Sequence, residues 1–149
     1  MAGFAWLVRA WTRLVRGDPA RWNDARLGLA GEREVARMLR VEGEVLLATR
    51  LRSSSAEIDL LSRDRHGRLW LHEVKTTRES PLPALAAKRT RGSLSGRVRA
   101  TQAGRLERAR SALSAARREE VGIKLWSVRV DASGKFFATP AVLREPRRT

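Results

Sequence analysis

Two short stretches of this chain, Glu57-Ile58-Asp59-Leu60 and Glu73-Val74-Lys75, place acidic side chains at strand spacing on either side of a turn. Side chains alternate along a strand. Glu57 and Asp59 therefore share one face, with Ile58 and Leu60 on the other. On the returning segment Leu69, Leu71, Glu73 and Lys75 share a face, opposite Trp70, His72 and Val74. With the turn centred near His66, Asp59 lies across from Glu73. Like charges on facing strand positions destabilise the pair by about 0.2–1 kcal/mol. A cation between them removes that penalty. Lys75, one pleat further on, offsets part of the repulsion or touches a phosphate.

A third carboxylate comes from a helix. Glu32 precedes Val35, Ala36 and Leu39 by three, four and seven residues, which sets it on or beside the buried stripe. Near a helix start the macrodipole favours an anion. Gln102 bears a similar relation to Leu106, Ala109 and Leu113. Four polar groups from three elements can thus converge. Such a set suits phosphodiester hydrolysis. That reaction needs water activated near neutral pH and relief of charge on the phosphate oxygens, and a carboxylate-held divalent ion supplies both. A lysine beside the ion stabilises developing negative charge.

The elements that position these groups follow from periodicity and turn residues. Leu27 to Val41 reads as a helix with Gly43 as its stop. Val45–Arg52, Glu57–Arg63 and Arg68–Thr76 read as strands, and Asp64-Arg65-His66-Gly67 as the turn between the last two. Residues 78–97, with Pro81, Pro83, Gly92, Gly96 and several cations, read as a long basic loop. Val98 to Glu120 is a second helix, its stripe Gln102, Leu106, Ala109, Leu113 and Ala116, with Arg105, Arg108 and Arg110 outside it and Gly122 ending it. Ile123–Asp131 and Lys135–Thr139 are strands; Pro140 and the residues beyond it read as frayed. This order predicts one α/β domain with a mixed sheet flanked by helices. Residues 27–140 form that domain, after an extension and linker at 1–26 and before a basic tail at 141–149.

Composition narrows the chemistry. Lys and Arg number 31 against 16 Asp and Glu, a formal charge of +15, so polyanions are the expected partners. Cysteine is absent, which excludes thiolate metal sites, thiol nucleophiles and disulfides. With two histidines, His66 and His72, a metal must be held by oxygen, which selects Mg²⁺ or Mn²⁺. His72 points away from Glu73 and reads as structural; Trp70 and Trp126 read as core. Residues 1–16 form an amphipathic pattern, with Phe4, Leu7, Val8, Trp11, Leu14 and Val15 opposite Arg9, Arg13 and Arg16. This pattern fits docking on the chain's own domain better than a membrane surface, and lacks the features of a secretory signal. Trp6, Trp11 and Trp22 fall outside the core domain.

Ile58-Asp59 followed by Glu73-Val74-Lys75 resembles the metal motif of the PD-(D/E)XK endonuclease superfamily. Gly31-Glu32, Glu57 to Leu61, Glu73 to Thr76 and Gln102 to Leu113 together resemble its YraN-like branch, which is related to Holliday-junction resolvases. The resemblance spans about residues 28–138 and departs at Ala56, Leu71-His72 and Thr101. It implies a restriction-endonuclease-like fold. It also implies Asp59, Glu73 and the Val74 carbonyl as metal ligands, Glu32 as an additional or water-mediated ligand, Lys75 as the catalytic lysine, and Gln102 positioning water or phosphate. The expectation is a Mg²⁺- or Mn²⁺-dependent endonuclease acting on structured or branched DNA rather than RNA, with a homodimer suggested by the resolvase relatives and a cytoplasmic location. The alternative is a nucleic-acid-binding module with the same fold and little catalysis.

Overall fold

The computed structural model describes residues 21–52, 56–79 and 96–146. The amphipathic segment 1–16, with Trp6 and Trp11, lies outside the described residues, and so does most of the basic loop.

Helix α1 spans Asp24–Val41, three residues earlier than the hydrophobic pattern begins. Asn23 caps it by accepting a hydrogen bond from the Arg26 N–H at 2.9 Å, satisfying one of the free donors of the first turn. The helix stops where Gly43 takes φ 83° and the Glu44 N–H turns back to the Leu39 carbonyl at 2.9 Å, a left-handed exit that glycine adopts without strain. Five strands follow: β1 (Val45–Arg52), β2 (Glu57–Arg63), β3 (Leu69–Arg78), β4 (Val121–Val130) and β5 (Phe136–Arg144). They form one sheet in chain order. β3 and β4 are parallel, and the other neighbouring pairs are antiparallel. A parallel pair needs a crossover, and helix α2 (Gly96–Arg117) lies in it.

Each helix covers one face. Val35, Ala36 and Leu39 of α1 bury Leu60, Val74, Trp126 and Val128. Leu106 and Ala109 of α2 bury Ile58, Leu69, Leu71, Val121 and Ile123. Even-numbered residues of β3 and β4 face α1 and odd-numbered residues face α2, as strand alternation requires. The closest approach is at Gly31, where a Cβ would lie 1.9 Å from Thr76 Oγ1. That glycine lets α1 settle onto β3.

Several boundaries differ from expectation. α2 ends at Arg117, not Glu120, and Arg118 makes the exit with φ 54°. Gly122 therefore lies inside β4, where a Cβ would meet the Trp70 ring at 2.6 Å; it serves packing, not helix termination. β5 runs through Pro140 to Arg144. Among the described residues it pairs only with β4, and an edge strand tolerates a residue with no N–H to donate. The folded unit thus extends past both ends of 27–140. Arg110 is buried rather than outside the stripe. Its ion pairs with Glu107 at 2.7 Å and Glu120 at 3.7 Å make that burial tolerable. Among the described residues no helix is long and apolar enough to cross a membrane.

Candidate active site

The site begins where the β2–β3 ladder ends. Paired residues run from Arg63–Leu69 to Leu60–His72, so continued register would set Asp59 opposite Glu73 and Ile58 opposite Val74. Instead the Asp59 Oδ2 takes the Val74 N–H at 2.7 Å. Ile58 packs in the cluster under α2 while Leu60 packs under α1. The expectation that Ile58 and Leu60 share a face is therefore corrected: alternation breaks at Asp59. The irregularity has a partner on β1. Arg50 lies between the pairs Thr49–Leu60 and Leu51–Ile58 and has φ 50°, a conformation uncommon for a side chain of its size.

This break opens a cavity of about 210 Å³ lined by Ala56, Glu57, Asp59 and Glu73 from the sheet and Gln102, Arg105 and Leu106 from α2. Gln102 Nε2 donates to Glu73 Oε1 at 2.8 Å, so α2 fixes the rotamer of the carboxylate. Within a strand a residue's N–H and C=O leave the same edge. The Val74 carbonyl therefore faces the gap into which its N–H donates. Glu32 sits outside the cavity lining but beside it. Its side chain is 15% exposed, and its Oε2 is 3.9 Å from Arg50 Nε. Arg50 Nε is also 3.1 Å from Glu57 Oε1. One guanidinium thus joins the helix carboxylate to the strand carboxylates.

The electrostatics are those of an undercompensated anionic cluster. Burial pushes the Glu73 carboxyl above the usual range, and Asp59 pushes it further; Gln102, Lys75 and Arg105 act in the opposite sense. Asp59 is raised chiefly by burial and also by Glu57, against the Val74 N–H, Arg50 and Lys75. Glu32 is raised by burial and then by Asp59, with Arg50 lowering it. Three carboxyls on three elements, α1, β2 and β3, are thus held where their ionised forms are disfavoured. A bound cation reverses that balance.

No protein-family model and no curated protein matches the chain.

Of the expected residues, Asp59, Glu73 and Gln102 share one cavity. Lys75 is exposed on the Glu73 face and close enough to act on both strand carboxylates. Glu32 adjoins the cluster through Arg50 and Asp59. Among the described residues no group of three Asp, Glu or His side chains is arranged to hold a metal ion. The donor set that fits a hard cation is Asp59, Glu73 and the Val74 carbonyl, with water completing the shell. Sequence reading missed two cations at the site. Arg105 follows Gln102 by three residues, so helical spacing could have placed it there. Arg50 could not be found that way, because its position depends on a left-handed backbone.

Behind the site, a buried chain of hydrogen bonds holds β3. The Trp126 indole N–H donates to His72 Nδ1 at 3.0 Å. That leaves the proton on Nε2, which is 2.7 Å from Ser62 Oγ. The Ser62 hydroxyl donates to Glu44 Oε2 at 2.5 Å, and Lys124 Nζ is 2.9 Å from Glu44 Oε1. Burial, with Lys124, pushes His72 down to about 3, so the ring is neutral. His72 points away from Glu73, as alternation predicts. The role of Glu44, 18 residues before its serine partner, was not legible.

Proposed function

We propose that this chain is a Mg²⁺- or Mn²⁺-dependent endonuclease that hydrolyses phosphodiester bonds in structured or branched DNA, on a restriction-endonuclease-like fold. The observation that carries the reading is the cavity at the broken β2–β3 ladder, where Asp59 and Glu73 are raised by burial and by like charge and Lys75 stands beside them. The pattern Ile58-Asp59…Glu73-Val74-Lys75 and the excess of cations support it.

Asp59, Glu73 and the Val74 carbonyl would hold the ion, and Glu32 would act through water. Once bound, the ion supplies an acidified water and charge relief on the phosphate. The chain supplies the rest. Gln102 holds Glu73 in one orientation through its 2.8 Å hydrogen bond. The Val74 N–H holds Asp59 and leaves its second oxygen free to face the cavity. The Lys75 ammonium neutralises charge that grows on the non-bridging oxygens. Arg105 lines the cavity on the α2 side and offers a phosphate a second cation.

The test is incubation of wild type and Asp59→Ala with a labelled four-way DNA junction and a linear duplex, in Mn²⁺ and in EDTA. The expected result is metal-dependent cutting that the variant loses. Cutting by Asp59→Ala at the wild-type rate would overturn the proposal. A second reading is a nucleic-acid-binding module without catalysis. The excess of 31 Lys and Arg over 16 Asp and Glu supports it as well as it does the first. Salt-sensitive junction binding with no cutting in any divalent ion would select it.

A further inference from the structure

Among the described residues, the face of the sheet that α2 packs on is covered at one end only. Leu106 and Ala109 of α2 lie against Val121 and Ile123, at the start of β4. Towards the other end of the same face, Lys75 and Thr77 of β3, Ser127 and Arg129 of β4, and Phe137 and Thr139 of β5 are all exposed. Register aligns them in two rows, Lys75–Ser127–Thr139 and Thr77–Arg129–Phe137. Their common face is fixed by their neighbours. Trp126, Val128, Phe136 and Ala138 pack under α1, and Thr76 meets Gly31 of α1. The open area begins at Lys75, one pleat from Glu73, and ends at Phe137. From Glu73 that is four residues along the strand and two strands across, about 16 Å at ordinary sheet spacings.

Phe137 is 39% exposed. The Arg129 guanidinium carbon lies 5.6 Å from its ring centroid and Lys135 Nζ lies 5.0 Å from it. Arg129 Nε is also 3.7 Å from Glu79 Oε1. An exposed aromatic ring attended by two cations, on a polar sheet face, has the makings of a base-stacking platform. Base–aromatic stacking tolerates any sequence, and cations beside the ring receive the phosphates. Lys135 is exposed, and its contact with the ring is weak in water. A base that displaces it from the ring leaves the ammonium free for a phosphate.

We propose that this open end of the sheet binds a single-stranded segment of nucleic acid leading out of the cavity, with one base stacked on Phe137 and the flanking phosphates on Arg129 and Lys135. The proposal rests on the reading that the substrate is nucleic acid, and deepens it: the substrate carries an unpaired stretch a few nucleotides from the cavity. A paired base cannot offer its face to the sheet. DNA and RNA share the chemistry used here, so both are tested.

The experiment is fluorescence anisotropy on the full chain in EDTA, with labelled twelve-nucleotide oligo-dT, oligo-U and a blunt duplex of equal length. Phe137→Ala is expected to weaken oligo-dT binding about tenfold or more, to change duplex binding less than twofold, and to melt like wild type. Phe137→Trp restores single-strand affinity and Phe137→Leu does not, because apolar bulk without a π face is not enough. An oligo-U loss smaller than the oligo-dT loss assigns the platform to DNA, and an equal loss extends it to both. Wild-type affinity of Phe137→Ala for both single strands, or equal losses on single strand and duplex, would overturn the proposal. So would dissociation of an oligomer by Phe137→Ala, which would make the patch a contact between copies. Mn²⁺-dependent cutting of the four-way junction by wild type is read in parallel. A failed stacking platform leaves that cutting intact, whereas a failed nuclease reading abolishes it in wild type without touching the anisotropy.

Discussion

Replacing Asp59 by Asn should make the metal-free protein more stable while removing its response to metal. Asn keeps an oxygen to accept the Val74 N–H, now bonded at 2.7 Å to Asp59, so the kink in β2 survives. What disappears is a charge that burial and Glu57 oppose, and that in turn raises Glu73 and Glu32. Asp59 and Glu73 line one cavity from neighbouring strands, for which a charge separation on the order of 5 Å sets the scale. At an effective dielectric of about 20, two unit charges at that separation repel by about 3 kcal/mol. Neutralisation also forfeits the attraction of Arg50 and Lys75 to Asp59, which leaves a net gain of about 1–2 kcal/mol. In a chain of this size that raises the melting temperature by about 3–6 °C. Metal reverses the order. With 10 mM Mn²⁺ and a dissociation constant of about 1 mM, wild type gains about 1.4 kcal/mol and Asp59→Asn gains almost none. Because the folded carboxyls of Asp59, Glu73 and Glu32 are raised, their proton-linked stability is fully present below the ordinary carboxylate values near 4 and is lost as pH rises through the raised ones. The advantage of the variant should therefore shrink as pH falls from 7.5 towards 5. Thermal melts in EDTA and in Mn²⁺ at both pH values measure this. A variant that melts at or below wild type in EDTA at pH 7.5, or that gains as much from Mn²⁺, would refute the claim that the cluster is a strained anion site.

Gln102→Ala removes a hydrogen bond that holds Glu73 down, so Glu73 should titrate higher. The pH midpoint for Mn²⁺ binding, read by calorimetry, should move up, and an unmoved midpoint would show that Gln102 is only a neighbour. Gly31→Ala forces a methyl onto Thr76 Oγ1, and overpacking of that kind costs about 1–3 kcal/mol. Thr76→Ala should rescue most of it in a urea double-mutant cycle, because among the described residues Thr76 Oγ1 has no hydrogen-bond partner to lose; additive losses would place the strain elsewhere. His72 is neutral with its value pushed down to about 3, so the unfolded chain binds the extra proton between about 6.5 and 3 and stability falls as pH drops through that window, by several kcal/mol. His72→Ala should cost about 3 kcal/mol at pH 7 through its cavity and the stranded Trp126 N–H, and should flatten the acid limb. A loss under 1 kcal/mol in urea melts would contradict the buried network.

The sequence made the elements legible because their signals are local. Gly43 and the Asp64–Gly67 turn punctuate the chain, and apolar periods of 3.6 and 2 do the rest. Where reading failed, the deciding partner was distant in sequence. Gly122 looks like a helix stop until the Trp70 ring is seen against it. Pro140 looks like a strand end until β5 proves to be an edge. Arg110 looks solvated until Glu107 and Glu120 are found around it. That Asp59 and Glu73 come near each other was legible because the hairpin register runs to Leu60–His72, one residue short of them; the break at Asp59 was not. The junction of Glu32, Glu57 and Arg50 was not, because it needs β1, β2 and α1 together.

The irregularity at Asp59 explains why so ordinary a hairpin can carry a site. Had the ladder continued, Ile58 would have taken both the N–H and the carbonyl of Val74, and the two strands would have presented facing carboxylates on a closed surface. Because β2 turns away there, the Asp59 side chain takes the N–H instead. The carbonyl edge is then released beside two acidic groups, in a cavity that α2 roofs with Gln102 and Arg105. The same turn sends Ile58 under α2 and anchors β2 in its new course with apolar packing. The opening is thus held by burial on one side and by the His72 network on the other. A site built on such supports keeps its geometry before any ligand arrives, which is what electrostatic catalysis on a phosphate requires.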